Sequence, residues 1–345
     1  MEILKDVTPS ILANAKKLAG NKKFSINVHP HIQEFYVEVQ LKTKSHSNIC
    51  IISGSHTNCV YLEKNGKVII DKRGEVHEKE SASYKDKVRN LTLSELVDLA
   101  ENIDEKDMEY LKKGIEMNME IFRAGQKLKK IGWFMTDLIN KKMLLDDIFS
   151  STKVMVACAV DARMDGFPLP AMASGGSGNQ GIVATLVPYN VGKEFKVDEK
   201  VILKSIALSH VLNSYIKCFT GDLAPICGCA IAAGVGAASA IVYQQKGKDI
   251  ESITFAINNL ISDLGGMLCD GAKSGCALKV VSSADAAIRS GYLGIHNYGI
   301  TSIEGFIGAS AEETIRNLNK ITKIGMANMD DTIINIMLEK SRIGG

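Results

Sequence analysis

Residues 223–245 read LAPICGCAIAAGVGAASAIVYQQ, an uncharged stretch long enough to cross a bilayer. Its content decides against that. Alanine and glycine dominate, and large apolar side chains are few. Small side chains let neighbouring backbones approach closely, so the stretch predicts a central helix, over about residues 226–244, buried among other helices. No membrane partner is expected.

Working outward, the helical pattern runs from about Leu91 to the end of the chain. Asp104 and the acidic residues after it open a long helix through Phe122, and further helices are predicted near 198–219, 249–268, 276–291, 311–323 and 329–340. Between them, Asp165–Gly181 holds Pro168, Pro170 and a Ser-Gly-Gly-Ser-Gly run, which predicts a loop.

Before Leu91 the pattern changes. Thr8 caps a first helix that has Pro9 at its first position and Gly20 at its end. Phe35, Val37, Val39 and Leu41 then alternate with polar residues, the mark of a half-buried strand. Ile49–Ile52 and Cys59–Leu62 follow, and Asn65-Gly66 predicts a hairpin turn into Val68–Ile70. The fold class is therefore α+β: a small antiparallel β-rich N-terminal part over residues 1–88, then a large, mostly α-helical domain over 89–345.

Composition agrees. Of the 345 residues, 46% are apolar, enough for a large core, but only 6% are aromatic, which suits close-packed helices built on small side chains. A net charge of +2 gives no electrostatic footprint for nucleic acid. MEILKDVTPS has no signal-peptide pattern, so a cytoplasmic location is expected. Eight cysteines at irregular spacing do not make a disulfide framework.

Four of those cysteines have spacing that suggests chemistry. Cys269 and Cys276 bracket CDGAKSGC, and Cys227 and Cys229 flank Gly228 after Pro225, where a helix is expected to begin. Thiols near a helix N-terminus deprotonate more easily, which favours metal ligation. At about 100° per residue, Cys227 and Cys229 would point about 200° apart on a helix, so only one of them would join Cys269 and Cys276. Spacing alone is a weak signal, since CxxC zinc or ferredoxin patterns are absent, and it leaves a structural zinc site or no metal open.

Three blocks in order, SGGSGNQGI (174–182), APICGCAIAAGVGAA (224–238) and DLGGMLCDGAKSGCALKV (263–280), resemble the L-cysteine desulfidases, relatives of the iron–sulfur serine dehydratase α chain. GSHTN (54–58) extends the likeness into the N-terminal part. The resemblance implies a [4Fe-4S] cluster held by three cysteines with one iron open to substrate, and no pyridoxal phosphate. In serine dehydratases the first two ligands lie 42 apart; here 269 − 227 = 42, which selects Cys227 over Cys229, with Cys276 as third ligand. Cys50, Cys59, Cys158 and Cys218 are expected to be buried thiols.

The implied reaction is β-elimination of L-cysteine to pyruvate, ammonia and hydrogen sulfide. Dehydration of L-serine or threonine is the alternative within the class. Ser177, Gly178, Asn179 and Gln180 are the expected substrate-binding residues, with Ser55 and Thr57, and His56 is the expected base, a neutral imidazole suited to accepting a proton. The relatives of that family carry, ahead of the region where this chain begins, a Gly-Cys-Thr-Glu-Pro segment whose cysteine is the suggested proton acceptor, and no such motif occurs here. A separately encoded N-terminal fragment is therefore an expected partner, beside a small amino-acid substrate and a second copy of the chain in a homodimer. A catalytically impaired binding remnant is the other outcome this departure allows.

Overall fold

A computed structural model describes residues 6–21, 24–28, 35–54, 57–74, 84–221 and 223–343. The chain divides into two compact units, Asp6–Ser83 and a unit made chiefly of Tyr84–Gly345.

The smaller unit starts with α1 (Pro9–Ala19), capped as expected by the Thr8 side chain, which accepts from the Ile11 N–H. Its sheet is a four-stranded antiparallel meander in the order β1 (Tyr36–Lys42), β2 (Ser47–Ser53), β3 (Cys59–Lys64), β4 (Lys67–Asp71). Asn65 and Gly66 both take positive φ, 54° and 79°, which matches a tight hairpin turn to the right-handed twist of its strands. The alternation in β1 does not produce a half-buried strand: Val37, Val39 and Leu41 are all exposed. Period-two patterning shows which side chains share a face, but says nothing of whether that face is covered.

The larger unit is helical. After α2 (Tyr84–Arg89) and α3 (Leu93–Glu101), the long α4 (Glu105–Gly125) begins at an Asp104 cap with a reciprocal Asp107 bond. Then come α5 (Ile131–Asn140), α6 (Ile148–Met164), α7 (Gly178–Glu194), α8 (Glu199–Thr220), α9 (Ala232–Lys246), α10 (Ile250–Leu264), α11 (Cys276–Ile295) and α12 (Ala311–Lys320), a π-helical turn at Ile321–Gly325, and α13 (Met329–Ile343).

Helix α9 is the axis of this unit. Every residue from Ala232 to Gln244 is buried, and the helix packs against α7, α8, α10 and α11. Small residues make that possible: a Cβ on Gly236 would lie 2.3 Å from the Ser209 carbonyl oxygen of α8. Of the described residues, no helix is long and apolar enough to cross a membrane.

Of the boundaries that differ from expectation, three do so for a local reason. The central helix begins at Ala232, not 226, and α10 stops at Leu264, not 268. Both segments are drawn into pairing with each other: Ile226 and Leu268 form an antiparallel bridge. The loop expected over 165–181 ends earlier, because Ser177 caps α7 and residues 178–181 are its first turn. Helices α6 and α7 also escape the periodicity signal, because they are buried nearly all round and have no polar stripe to mark a face.

Candidate functional site

The Ile226–Leu268 bridge builds the centre of the candidate site. The Cys227 N–H donates to the Met267 carbonyl at 2.8 Å and the Cys269 N–H to the Pro225 carbonyl at 2.7 Å. Alternation about the bridge puts Cys227 and Cys269 on the same face at diagonal positions, about 7–8 Å apart. The chain then turns sharply. Ala230 and Ile231 N–H both donate to the Cys227 carbonyl, at 3.1 and 2.9 Å, and α9 begins. Ser283 of α11 donates to the Ala230 carbonyl at 2.9 Å, tying the turn to the helix that Cys276 opens.

Cys276 is buried, and its sulfur accepts the Lys273 N–H at 3.4 Å. Cys269 is half-buried. Lys279, one turn into α11, donates to the Leu268 carbonyl at 2.7 Å and pairs with Asp270 at 2.9 Å, and Asp270 also meets Lys273. The loop that carries Cys269 is thereby anchored to α11.

The thiols do not titrate alike. Cys227 is drawn down to about 6, first by the Cys229 thiol donating to it, helped by the Ala230 and Cys229 N–H groups and the Lys279 charge, and opposed by burial. Cys229 is raised well above the ordinary thiol value, first because it donates to Cys227, then by burial and by the charges of Cys227 and Cys276, while a Ser177 hydrogen bond works the other way. Cys227 is therefore the thiolate of the pair and Cys229 its proton-bearing neighbour.

The glycine-rich loop reaches the same place. Ser174 and Ser177 exchange both backbone hydrogen bonds at 3.0 Å around Gly175 and Gly176, whose φ of 53° and 82° only glycine adopts without strain. This turn sets Ser177 at the start of α7 and within reach of Cys229. The N–H groups of Gly178 and Asn179 lie in the first turn of α7, where no carbonyl of the helix can accept from them. Gln180 stands over Gly228: a Cβ there would lie 2.5 Å from Gln180 Nε2. Asn179 is turned instead toward α6, where Arg163 donates to its Oδ1 at 3.0 Å and its Nδ2 meets the Met164 sulfur at 3.7 Å.

Sequence reading thus singled out Ser177, Gly178, Gln180, Cys227, Cys269 and Cys276, and the larger unit gathers them around one turn with Cys229. Thr57 lies exposed in the smaller unit, after β2, and Ser55 and His56 are outside the described residues. Reading the sequence did not single out Asn213 or Lys279. Asn213 donates to Ser174 Oγ at 2.8 Å from a fully buried position on α8, on a face it shares with Ser209 and Lys217, which are also buried. Of the other cysteines only Cys158 is buried, its thiol pushed up to about 12 by desolvation. Cys50 and Cys59 are half-buried on neighbouring strands with sulfurs 3.9 Å apart, and Cys218 is half-buried on α8.

Among the described residues no three His, Cys, Asp or Glu side chains could hold a single metal ion. A polynuclear cluster asks for something else, because each of its cysteines binds a different iron and they stand apart by the size of the cluster. Two cysteines on one face of a bridge, a third opening α11, and one already favoured as thiolate fit such a group.

Residues 1–335 match the family model described as serine dehydratase alpha chain. The chain is 55% identical over 340 residues to a UPF0597 protein of Elusimicrobium minutum, covering 99% of this chain and 80% of that protein. A UPF0597 protein of Geobacter sulfurreducens is 51% identical over 340 residues, 99% of this chain and 79% of the relative. A third, from Clostridium tetani, is 35% identical over the same length. No solved structure matches the chain.

Proposed function

The chain belongs to the serine dehydratase alpha chain family, and from that membership we propose that it is a lyase that eliminates the β-substituent of a small amino acid, with L-cysteine as substrate. Cys227, Cys269 and Cys276 would hold a [4Fe-4S] cluster. When bound, that cluster supplies a Lewis-acidic iron with a position open to substrate.

The observation that carries the reading is the bridge between Pro225–Cys227 and Met267–Cys269, which sets two of the three thiols on one face beside the start of α7. The protein's own part is to orient and polarise. The first N–H groups of α7, at Gly178 and Asn179, suit a substrate carboxylate, since the N-terminal end of a helix favours negative charge. Lys279 and the Cys229 thiol keep Cys227 deprotonated and ready to ligate. Ser177 orients the Cys229 thiol by hydrogen bonding to it. For the α-proton acceptor the reading keeps His56, on the chemical ground that a neutral imidazole accepts protons near neutral pH. Once the β-substituent has left, the resulting enamine hydrolyses to pyruvate and ammonia without further help.

The family description favours a second substrate, L-serine, with hydroxide in place of sulfide as the leaving group. One experiment separates the two. Anaerobically reconstituted protein is assayed for pyruvate from L-cysteine and from L-serine, with sulfide measured in parallel. Faster turnover of L-cysteine supports the desulfidase reading, and the reverse order assigns the chain to serine. Protein that retains no iron or acid-labile sulfide after reconstitution sinks the cluster reading whichever substrate is used.

A further inference from the structure

Cys50 and Cys59 take no part in the site above, and an irregularity in the sheet brings them together. Strands β2 and β3 pair regularly as far as Ile51 opposite Tyr61, a register that would set Cys59 opposite Ser53 and on the other face from Cys50. A bulge intervenes, so Cys59 lies opposite Ile52 instead. One extra residue in a strand turns the residues beyond it to the other face. Cys59 therefore shares a face with Ile52 and Cys50, and the two sulfurs lie 3.9 Å apart. Both cysteines are half-buried. On β1, Val39 opposite Cys50 and Val37 opposite Ile52 are 55% and 42% exposed, so this face of the sheet is open to small solutes.

We infer that Cys50 and Cys59 form a dithiol that low-molecular-weight disulfides oxidise reversibly to an intramolecular disulfide. Closing the bond to about 2.05 Å brings the sulfurs together by about 2 Å, within the reach of side-chain rotation. Burial, and then the hydrogen bond to Cys59, raise the Cys50 thiol, which leaves the first attack to Cys59. The Cys59 thiolate attacks one sulfur of the external disulfide, whose S–S bond breaks and whose other half leaves as a thiol, carrying the proton that Cys59 lost. Cys50 then gives up its proton and displaces the second thiol, which closes the bond to Cys59. Two protein thiols are oxidised, one external disulfide is reduced to two thiols, and no other reactant is needed. The GSHTN segment (54–58) lies in sequence between the two cysteines, so the bond ties its ends together. None of this needs the cluster or the proposed reaction, since neither thiol belongs to that site.

The full chain, purified anaerobically, is treated with glutathione disulfide, its remaining thiols are alkylated, and its tryptic peptides are mapped by mass spectrometry without reduction. Ser45–Lys64 contains both cysteines and no internal lysine or arginine, so one peptide reports on the pair. That peptide should be lighter by the two thiol hydrogens and carry no alkyl group. Dithiothreitol before alkylation should restore alkylation at both cysteines. Cys50→Ser should stop at the first step and keep glutathione on Cys59. Alkylation of both cysteines after treatment of the wild type overturns the inference, as does a wild-type peptide that keeps glutathione without closing the ring. So does Cys50→Ser protein whose Cys59 is alkylated throughout. Should that variant fail to fold, the wild-type peptide decides alone.

Discussion

The Cys269 N–H donates to the Pro225 carbonyl at 2.7 Å, so the segment between α10 and α11 is fastened to the segment between α8 and α9. Pro225 has no N–H and cannot continue a ladder beyond this point. The pairing is therefore one bridge long, and what it positions is the pair of cysteines on its face.

That geometry makes Cys227 and Cys229 unequal despite being two residues apart. Cys227→Ala and Cys269→Ala should each lose most of the iron and acid-labile sulfide that the wild type takes up, whereas Cys229→Ala should retain it. Iron analysis of the reconstituted proteins checks this. Loss in Cys229→Ala with retention in Cys227→Ala would exchange their roles.

In the metal-free protein the Cys227 thiol titrates at about 6 against an ordinary value of 9.0. An acid whose folded value is depressed adds stability that is full above the unfolded value and lost as pH falls through the folded one. The apo protein should therefore gain stability from pH about 6 to about 9, and Cys227→Ser should flatten that part of the profile. Lys279→Met removes a lowering charge, so the rise in thiolate ultraviolet absorbance should move to higher pH.

His210 is half-buried on α8, 3.1 Å from Thr185 Oγ1, and desolvation lowers its value from 6.5 to about 4. The unfolded chain takes up a proton in that window and the folded chain does not. Stability from this group is full above pH 6.5 and falls between 6.5 and 4. Replacing His210 with Gln should remove roughly 3 kcal/mol of the acid-induced loss, read from denaturant titrations at pH 7 and pH 4.

Gly236→Ala places a methyl 2.3 Å from the Ser209 carbonyl oxygen, backbone against backbone. Overpacking of this kind costs about 1–3 kcal/mol. A lowered thermal midpoint with unchanged iron uptake is expected, and an unchanged midpoint would mean that α8 and α9 can separate freely.

Much of this was legible along the chain because it depends on neighbours in sequence. Caps at Thr8 and Asp104, the Asn65-Gly66 turn and the small residues of α9 each act within a few positions, and the sequence shows them directly. The candidate cysteines were legible by kind, because few residue types ligate iron. Helices α6 and α7 were not, since burial on all sides removes the polar stripe that would reveal their period.

The sequence by itself determined the α+β class and the small-residue central helix, which follow from side-chain size and backbone preference. Only the tertiary structure decided that residues 225–227 leave the helix to pair with 267–269, that Asn179 turns to Arg163 while Gln180 turns to the cysteine turn, and that Asn213 joins them from α8. Those choices depend on which buried polar group finds a partner. Partners brought together by packing are far apart along the chain, and no local pattern records them.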